Sequence, residues 1–317
     1  MLVTGATGFI GSWLVKALAE RGAQVLAGQG TSRPERNVAL AQQRPNVQTI
    51  PFRLEDKMLL ERCLQGHGID SVFHLAAGNT NLRAGVAPLP LFEANVRGVY
   101  LLLEAVRQTP TVRRVVIASS AEARGGRRAG EAGEQRVKRH AYQASKLAAE
   151  LITQSYHDTF GLPVAVARCY NVYGGGDFNW NRLIPGTIRS VLTGASPVLR
   201  SDGTLRRDYI HVDDIVAAYL ALGQRAGDEG VRGEIFHFGT GARHSTLEIV
   251  CEIIRLSGRA GLAPVVRNES KDEIVGEDES FEREAAVLGW RSTVGIDLGL
   301  ASTLAWYEEH LDELKSA

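Results

Sequence analysis

The chain has 317 residues, of which 44% are hydrophobic and 23% charged; this fits one large α/β domain, or one domain with a smaller appendage, and argues against disorder. Lys+Arg and Asp+Glu both number 36, so the formal charge is zero and there is no electrostatic footprint for nucleic acid or an anionic membrane. Cys63, Cys169 and Cys251 lie far apart with no CxxC, so neither a disulfide framework nor a metal site is indicated.

Residues 1–4 are apolar and β-prone and run straight into Gly5-Ala6-Thr7-Gly8-Phe9-Ile10-Gly11. This leaves no room for a signal peptide, and no apolar run approaches the roughly 18 residues of a membrane span. A cytoplasmic enzyme acting on small molecules is the expectation. Residues 12–21 carry Trp13, Leu14, Ala17 and Leu18 at helical spacing, and 24–27 read as a second strand. Further along, 47–52, 71–76, 114–119 and 163–169 read as strands, and 57–65, 90–108 and 140–160 as helices. This alternation predicts a doubly wound parallel sheet of the Rossmann type, covered on both faces. Beyond Tyr173 the pattern breaks into the loop 174–181, a helix over 184–193 and a hairpin around 201–204. Residues 209–212 and 235–238 are expected to return to the main sheet. A charged, helix-rich region ends in a helix over 298–314, and 124–139, rich in Gly, Arg and Glu, reads as a mobile loop.

Two patterns carry chemistry. Gly5, Gly8 and Gly11 stand between a strand and an amphipathic helix, where glycines let the backbone turn sharply and approach a pyrophosphate at a helix N-terminus. Glycines at this spacing are a weak signal alone; their placement makes a dinucleotide the expected ligand. Tyr142 and Lys146 are four residues apart, on one helix face. A phenol is a poor base at neutral pH unless a neighbouring ammonium stabilises its phenolate. Ser119-Ser120-Ala121-Glu122 follows a buried strand, at the carboxyl edge where ligands bind in open α/β sheets. His74 reads as a structural strand residue.

Together GATGFIG, Ser120, YxxxK and Arg168-Cys169-Tyr170-Asn171-Val172-Tyr173-Gly174 resemble the extended short-chain dehydrogenase/reductase family, in its nucleotide-sugar epimerase/dehydratase branch. The resemblance covers nearly the whole chain and includes the strand before Ala76-Ala77, Asn95, the block 203–214 and Leu288-Gly289-Trp290. The stretch GGGDFNWNRLIPGTIRS (174–190) and Arg267-Asn268-Glu269 look closest to CDP-glucose 4,6-dehydratase-like members. The resemblance implies an NAD(P)-binding Rossmann domain over 1–168 and 209–239, and a smaller substrate domain over 169–208 and 240–317. It implies cofactor contacts from Gly5, Thr7, Gly8, Phe9, Ile10, Gly11, Ser32, Arg33, Leu54, Leu75, Ala76, Ala77, Asn95, Ser119, Tyr142 and Lys146. Tyr142 would be the base at the sugar C4 hydroxyl, Lys146 its electrostatic partner and Ser120 a hydrogen-bond partner of the same oxygen. Thr80, Asn171, Arg182, Leu183 and Arg207 would contact a nucleotide-diphosphate sugar, with Arg207 gripping the diphosphate. A homodimer formed by the helices 90–108 and 140–160 is also implied.

Departures from the family pattern leave choices open. Gly28-Gln29-Gly30-Thr31-Ser32-Arg33 lacks the carboxylate that would hold an NAD ribose and repel a 2′-phosphate, which leans the cofactor toward NADP. Arg53 stands where an acid near adenine is expected, and Gly78 where relatives often carry a larger polar residue. Ala121-Glu122 replaces an Asp-Lys pair. Elimination across C5–C6 needs a base and an acid; Ala121 is neither, and Glu122 is suited to be the base or to serve as both in turn. A 4,6-dehydratase is therefore slightly favoured over a 4-epimerase, which needs only Ser120, Tyr142 and Lys146. A reductase or decarboxylase on the same scaffold, or a non-catalytic NAD(P) sensor, completes the alternatives.

Overall fold

Seven short strands pair in parallel: β1 (Leu2–Thr4), β2 (Val25–Gln29), β3 (Val47–Pro51), β4 (Ser71–His74), β5 (Arg114–Ser120), β7 (Val164–Cys169) and β11 (Ile235–Phe238), in the order β11-β7-β5-β4-β1-β2-β3. The computed structural model describes residues 1–30, 44–78, 88–125, 127–128, 140–269, 274–275 and 280–310. β6 (Arg127–Arg128) pairs antiparallel with β14 (Ile274–Val275), outside the main sheet.

Successive residues of a strand face opposite sides of a sheet, so uniformly apolar strands require two covered faces. Val3 and Val116 belong to one core, with Leu14, Leu18, Ile215, Tyr219 and Leu222 from the helices Phe9–Glu20 and Val212–Arg225. Their neighbours Leu2, Val115 and Ile117 belong to the other, with Leu60, Leu64, Leu102, Leu103 and Ala149 from the helices Lys57–Gly66, Gly98–Arg107 and Ala141–Phe160. A third core gathers Tyr173, Ile184, Ile188, Ile249, Ile253, Leu300 and Tyr307, from the helices Leu183–Leu192, Thr246–Leu256 and Ile296–Glu309 and the segment before them.

Two expectations about strands are corrected. The strand through Tyr209 is β10 (Arg206–His211), and it does not join the main sheet; it pairs with β8 (Asn171–Tyr173) and antiparallel with β12 (Arg243–Ser245) in a three-stranded sheet. Residues 201–204 form no hairpin. Asp202 accepts from the Thr204 N–H at 2.9 Å, a local Asx bond, while β9 (Val198–Leu199) pairs in parallel with β13 (Val265–Val266). The helix expected over 90–108 runs from Leu89 to Arg107 but contains a π-helical turn at Glu93–Arg97. Among the described residues no helix is long and apolar enough to cross a membrane.

Candidate active site

The chain leaves β1 through Gly5, whose φ of +69° is a left-handed conformation open to glycine. A Cβ at Gly5 would lie 2.7 Å from the Ala76 nitrogen, and one at Gly11 would lie 2.1 Å from the Gly5 carbonyl oxygen. Both glycines are therefore set by close backbone approach, first of the loop after β4 and then of the helix Phe9–Glu20 onto the turn. Gly8 caps that helix with no side-chain bond, and its first turn contains no acidic residue. The first N–H groups and the positive end of the helix dipole are thus left to an anion. This turn, whose tightness a side chain at Gly5 or Gly11 would break, fits a dinucleotide pyrophosphate, and Thr7, Phe9 and Ile10 lie within it. Leu75 and Ala76 are tied alongside by N–H bonds to the Thr4 carbonyl (3.1 Å) and hydroxyl (3.3 Å). His74 is buried, and burial with the nearby Lys146 charge pushes its pKa down to about 3, so it stays neutral in the β4 strand.

The same carboxyl edge carries the second cluster. Ser119 and Ser120 close β5, and a single 3₁₀ turn (Ala121–Arg124) brings Glu122 back toward the sheet. The Ser120 hydroxyl accepts from the Glu122 N–H at 3.2 Å. Burial raises the Tyr142 phenol to about 12; the Glu122 charge adds to that rise, while Arg182 and Ser120 oppose it. Lys146 donates to the Ala118 carbonyl at 3.0 Å, and burial brings its pKa down to about 8 against the pull of Cys169 and Glu150. Arg182, from the segment before the helix Leu183–Leu192, is a cation that lowers the Tyr142 pKa.

Beneath these groups lies a buried network that the sequence reading did not anticipate. The Ser119 hydroxyl donates to Glu150 at 2.5 Å, and Glu150 receives two bonds from Arg168 of β7, at 2.7 and 2.5 Å. Three elements, β5, β7 and the helix Ala141–Phe160, are locked together one residue from Ser120. Asn95 does similar work on the other flank. It is buried in the π-helical turn, accepts from the Gly78 N–H at 2.6 Å and donates to the Ser145 hydroxyl at 3.0 Å. Ser145 in turn donates to the Tyr142 carbonyl at 2.8 Å. Asn95 therefore positions the Tyr142 helix against the loop after β4; such π turns are frequent at functional sites. Gly78 also packs closely on the helix Leu89–Phe92, where a Cβ would meet Leu91 Cδ1 at 3.0 Å. Leu54 packs against Gly98, within 3.0 Å of where a Cβ would stand.

On the substrate side, Asn171 donates to the Asp208 carbonyl at 2.8 Å. Arg182, just before the helix that begins at Leu183, donates to the buried Asp177 at 2.9 Å, and the Asp177 carbonyl accepts from Tyr307 at 2.7 Å. The loop 174–181 is thereby fixed to the third core. Arg207 is half-buried on β10, opposite His244. Ala77 is exposed in the segment after β4. Ser32, Arg33, Thr80 and most of the loop 124–139 lie outside the described residues. One residue of the cluster that the sequence reading passed over is His140. It sits at the N-cap of the helix Ala141–Phe160, 3.6 Å from the Glu122 carboxylate, with its ring stacked 6.5 Å from that of Tyr142. Its place two residues before Tyr142 was the available signal.

The chain is similar over nearly its whole length to known proteins. Over 323 residues the chain is 31% identical to a dTDP-glucose 4,6-dehydratase of Actinoplanes sp., covering 97% of each. It is 31% identical to a second dTDP-glucose 4,6-dehydratase, from Streptomyces griseus, over 98% of this chain and 94% of that one. A solved dTDP-glucose 4,6-dehydratase of Streptomyces venezuelae with NAD bound superposes with a TM-score of 0.85 at 29% identity, covering 98% of both chains. A UDP-glucose 4-epimerase of Thermotoga maritima, solved with UDP-glucose, gives 0.84 at 26% identity, over 98% of this chain and 99% of that one. The model of the NAD dependent epimerase/dehydratase family matches residues 1–239. With the glycine cradle and the Ser120–Tyr142–Lys146 cluster on one sheet edge, this chain belongs to the NAD dependent epimerase/dehydratase family.

Proposed function

We propose that the chain is a 4,6-dehydratase of a nucleotide-diphosphate hexose, working through a 4-keto sugar. The glycine turn would hold the pyrophosphate of a nicotinamide dinucleotide, whose chemistry when bound is to take a hydride from the sugar and return it. Tyr142, as phenolate, takes the C4 hydroxyl proton while Ser120 fixes that oxygen by hydrogen bond. Lys146 and Arg182 supply positive charge on either side, and Arg207 and Asn171 stand toward the nucleotide end. The ketone acidifies the C5–H bond, and Glu122 would remove that proton. Residues 1–168 and 209–239 serve as the cofactor half and 169–208 and 240–317 as the substrate half, except that Tyr209 of β10 packs in the third core.

The observation that carries this reading is the Glu122 carboxylate held beside Tyr142, close enough for its charge to act on the phenol. A 4-epimerase has no use for a second base there. Ala121, which leaves no acid at the usual place, favours the epimerase as the second reading. A panel of nucleotide-diphosphate hexoses decides between them: a 4-keto-6-deoxy product is expected, and a C4 epimer alone would refute the dehydratase. Glu122→Gln is expected to cut dehydration by about 10²-fold or more, whereas an epimerase would be nearly indifferent to it.

We further infer that the segment 28–33, having no carboxylate, accepts a 2′-phosphate. NADP is expected to bind at least as tightly as NAD; a preference for NAD beyond about tenfold, or 1.4 kcal/mol, would overturn that. The helices Leu89–Phe92 and Ala141–Phe160 expose Leu89 (65%), Leu151 (58%) and Phe160 (54%), which supports a homodimer through these faces. Sedimentation at the single-chain mass of 34.4 kDa would count against it. A cytoplasmic location follows from the same reading of the substrate.

A further inference from the structure

β10 carries two arginines side by side, and the register of its sheet separates them. Neighbouring side chains of a strand take opposite faces, and residues directly across a ladder share one. Arg206 stands across from Ser245 and is engaged: it donates to Glu248 at 3.0 Å and to the Arg243 carbonyl at 2.5 Å. Arg207 turns to the other face, across from His244. Two residues on, Tyr209 pairs with Asn171 of β8. Asn171, Arg207 and His244 therefore share one face of the three-stranded sheet, one from each strand. Arg207 and His244 are both half-buried, and neither side chain has a hydrogen bond or ion pair among the described residues. The carboxylates of this region are taken elsewhere. Glu248, on which the His244 charge acts, is held by Arg206 and the Ser245 N–H, while Asp208 lies on the opposite face and accepts from Thr240 and Gly241.

We propose that His244 is a second ligand of the substrate's diphosphate, gripping it together with Arg207. This rests on the reading of Arg207 as a diphosphate residue. Basic groups set directly across a ladder oppose each other, and an anion between them removes that cost. The diphosphate of a nucleotide sugar is an anion throughout the neutral range, with acceptor oxygens on both phosphates. Arg207 offers it a planar fork of donors, and His244 donates one N–H when neutral and two when protonated. The imidazole is also held on a rigid element. Ser245, the next residue, caps the helix Thr246–Leu256 by accepting from the Glu248 N–H at 3.1 Å, which fixes the backbone that carries His244.

The test first finds by calorimetry which of ADP, CDP, GDP, UDP and dTDP the wild type binds most tightly. That diphosphate and its glucose derivative are then titrated into His244→Leu, His244→Gln, Arg207→Met and the double variant His244→Leu/Arg207→Met. His244→Leu is expected to weaken both ligands by about 10- to 100-fold. Its KM for the sugar nucleotide should rise by a similar factor, with kcat within about threefold of wild type and cofactor affinity unchanged. His244→Gln, which keeps an N–H donor, should recover most of the loss. The double variant should lose less than the product of the two single losses, because both side chains hold one anion. An affinity of His244→Leu within about twofold of wild type overturns the proposal. So does an equal loss in His244→Leu and His244→Gln, which marks a packing role, and so do losses that multiply fully in the double variant, which place the two residues on separate groups. Wild-type affinity in Arg207→Met overturns the reading of Arg207 itself, and that variant alone shows it.

Discussion

Tyr142→Phe is expected to lower turnover by about 10²–10⁴-fold while leaving cofactor affinity nearly unchanged. The substitution removes one oxygen and keeps the ring, so packing against the neighbouring His140 ring survives. What is lost is the ionisable hydroxyl, on which Ser120, Glu122 and Arg182 act. The pyrophosphate cradle is built from backbone at Gly5, Gly8 and Gly11 and does not involve the phenol. Steady-state turnover with a cofactor titration by fluorescence separates the two effects, and retained turnover would show that another group is the base. The pH profile adds a signed check. The phenol must ionise to act, and the Glu122 charge holds its pKa up whereas Arg182 pulls it down. The alkaline rise in rate of C4 oxidation should therefore move to lower pH in Glu122→Gln and to higher pH in Arg182→Ala.

Arg168→Met is expected to be the most destabilising of the substitutions considered, by about 3–5 kcal/mol, because it leaves a buried carboxylate without its cation. The Glu150 and Arg168 side chains are only 1% and 10% exposed, and the pair also receives the Ser119 hydroxyl. The companion double variant Glu150→Leu/Arg168→Met should recover most of the loss, since it removes both charges together. Urea unfolding of the two variants beside the wild type measures this, and a shift below about 1 kcal/mol in the single variant would mean that water reaches the pair. Activity should fall in Arg168→Met even where it remains folded, because the strand end that it secures carries Ser120.

Much of this arrangement was written in the chain, for a physical reason that can be traced. Strand alternation with amphipathic helices reports which faces are covered, and that information is local: Leu2 and Val3, or Val115 and Val116, already differ in which core they enter. The glycine turn and the Tyr142–Lys146 spacing are local too, since a helix fixes the geometry of residues four apart. Partnership through space is not. The strand Arg206–His211 is as apolar in its second half as a main-sheet strand, yet its neighbours are Asn171–Tyr173 and Arg243–Ser245, and no periodicity within it could say so. Val198 finds its partner at Val265, which no turn signal near 201–204 could reveal.

The site divides in the same way. The sequence by itself determined the fold class, the glycine turn after β1 and the placing of Tyr142 and Lys146 on one helix face. Only the tertiary structure decided which charges act on them. Lys146 shares a helix face with Tyr142 and donates to the Ala118 carbonyl, whereas Arg182, 40 positions beyond Tyr142 in the chain, is a second cation and lowers the phenol pKa. Glu122 and His140 are 18 positions apart in the chain and meet only because the 3₁₀ turn after β5 folds back on the start of the next helix. Electrostatic coupling depends on distance and burial, and neither is a property of sequence position.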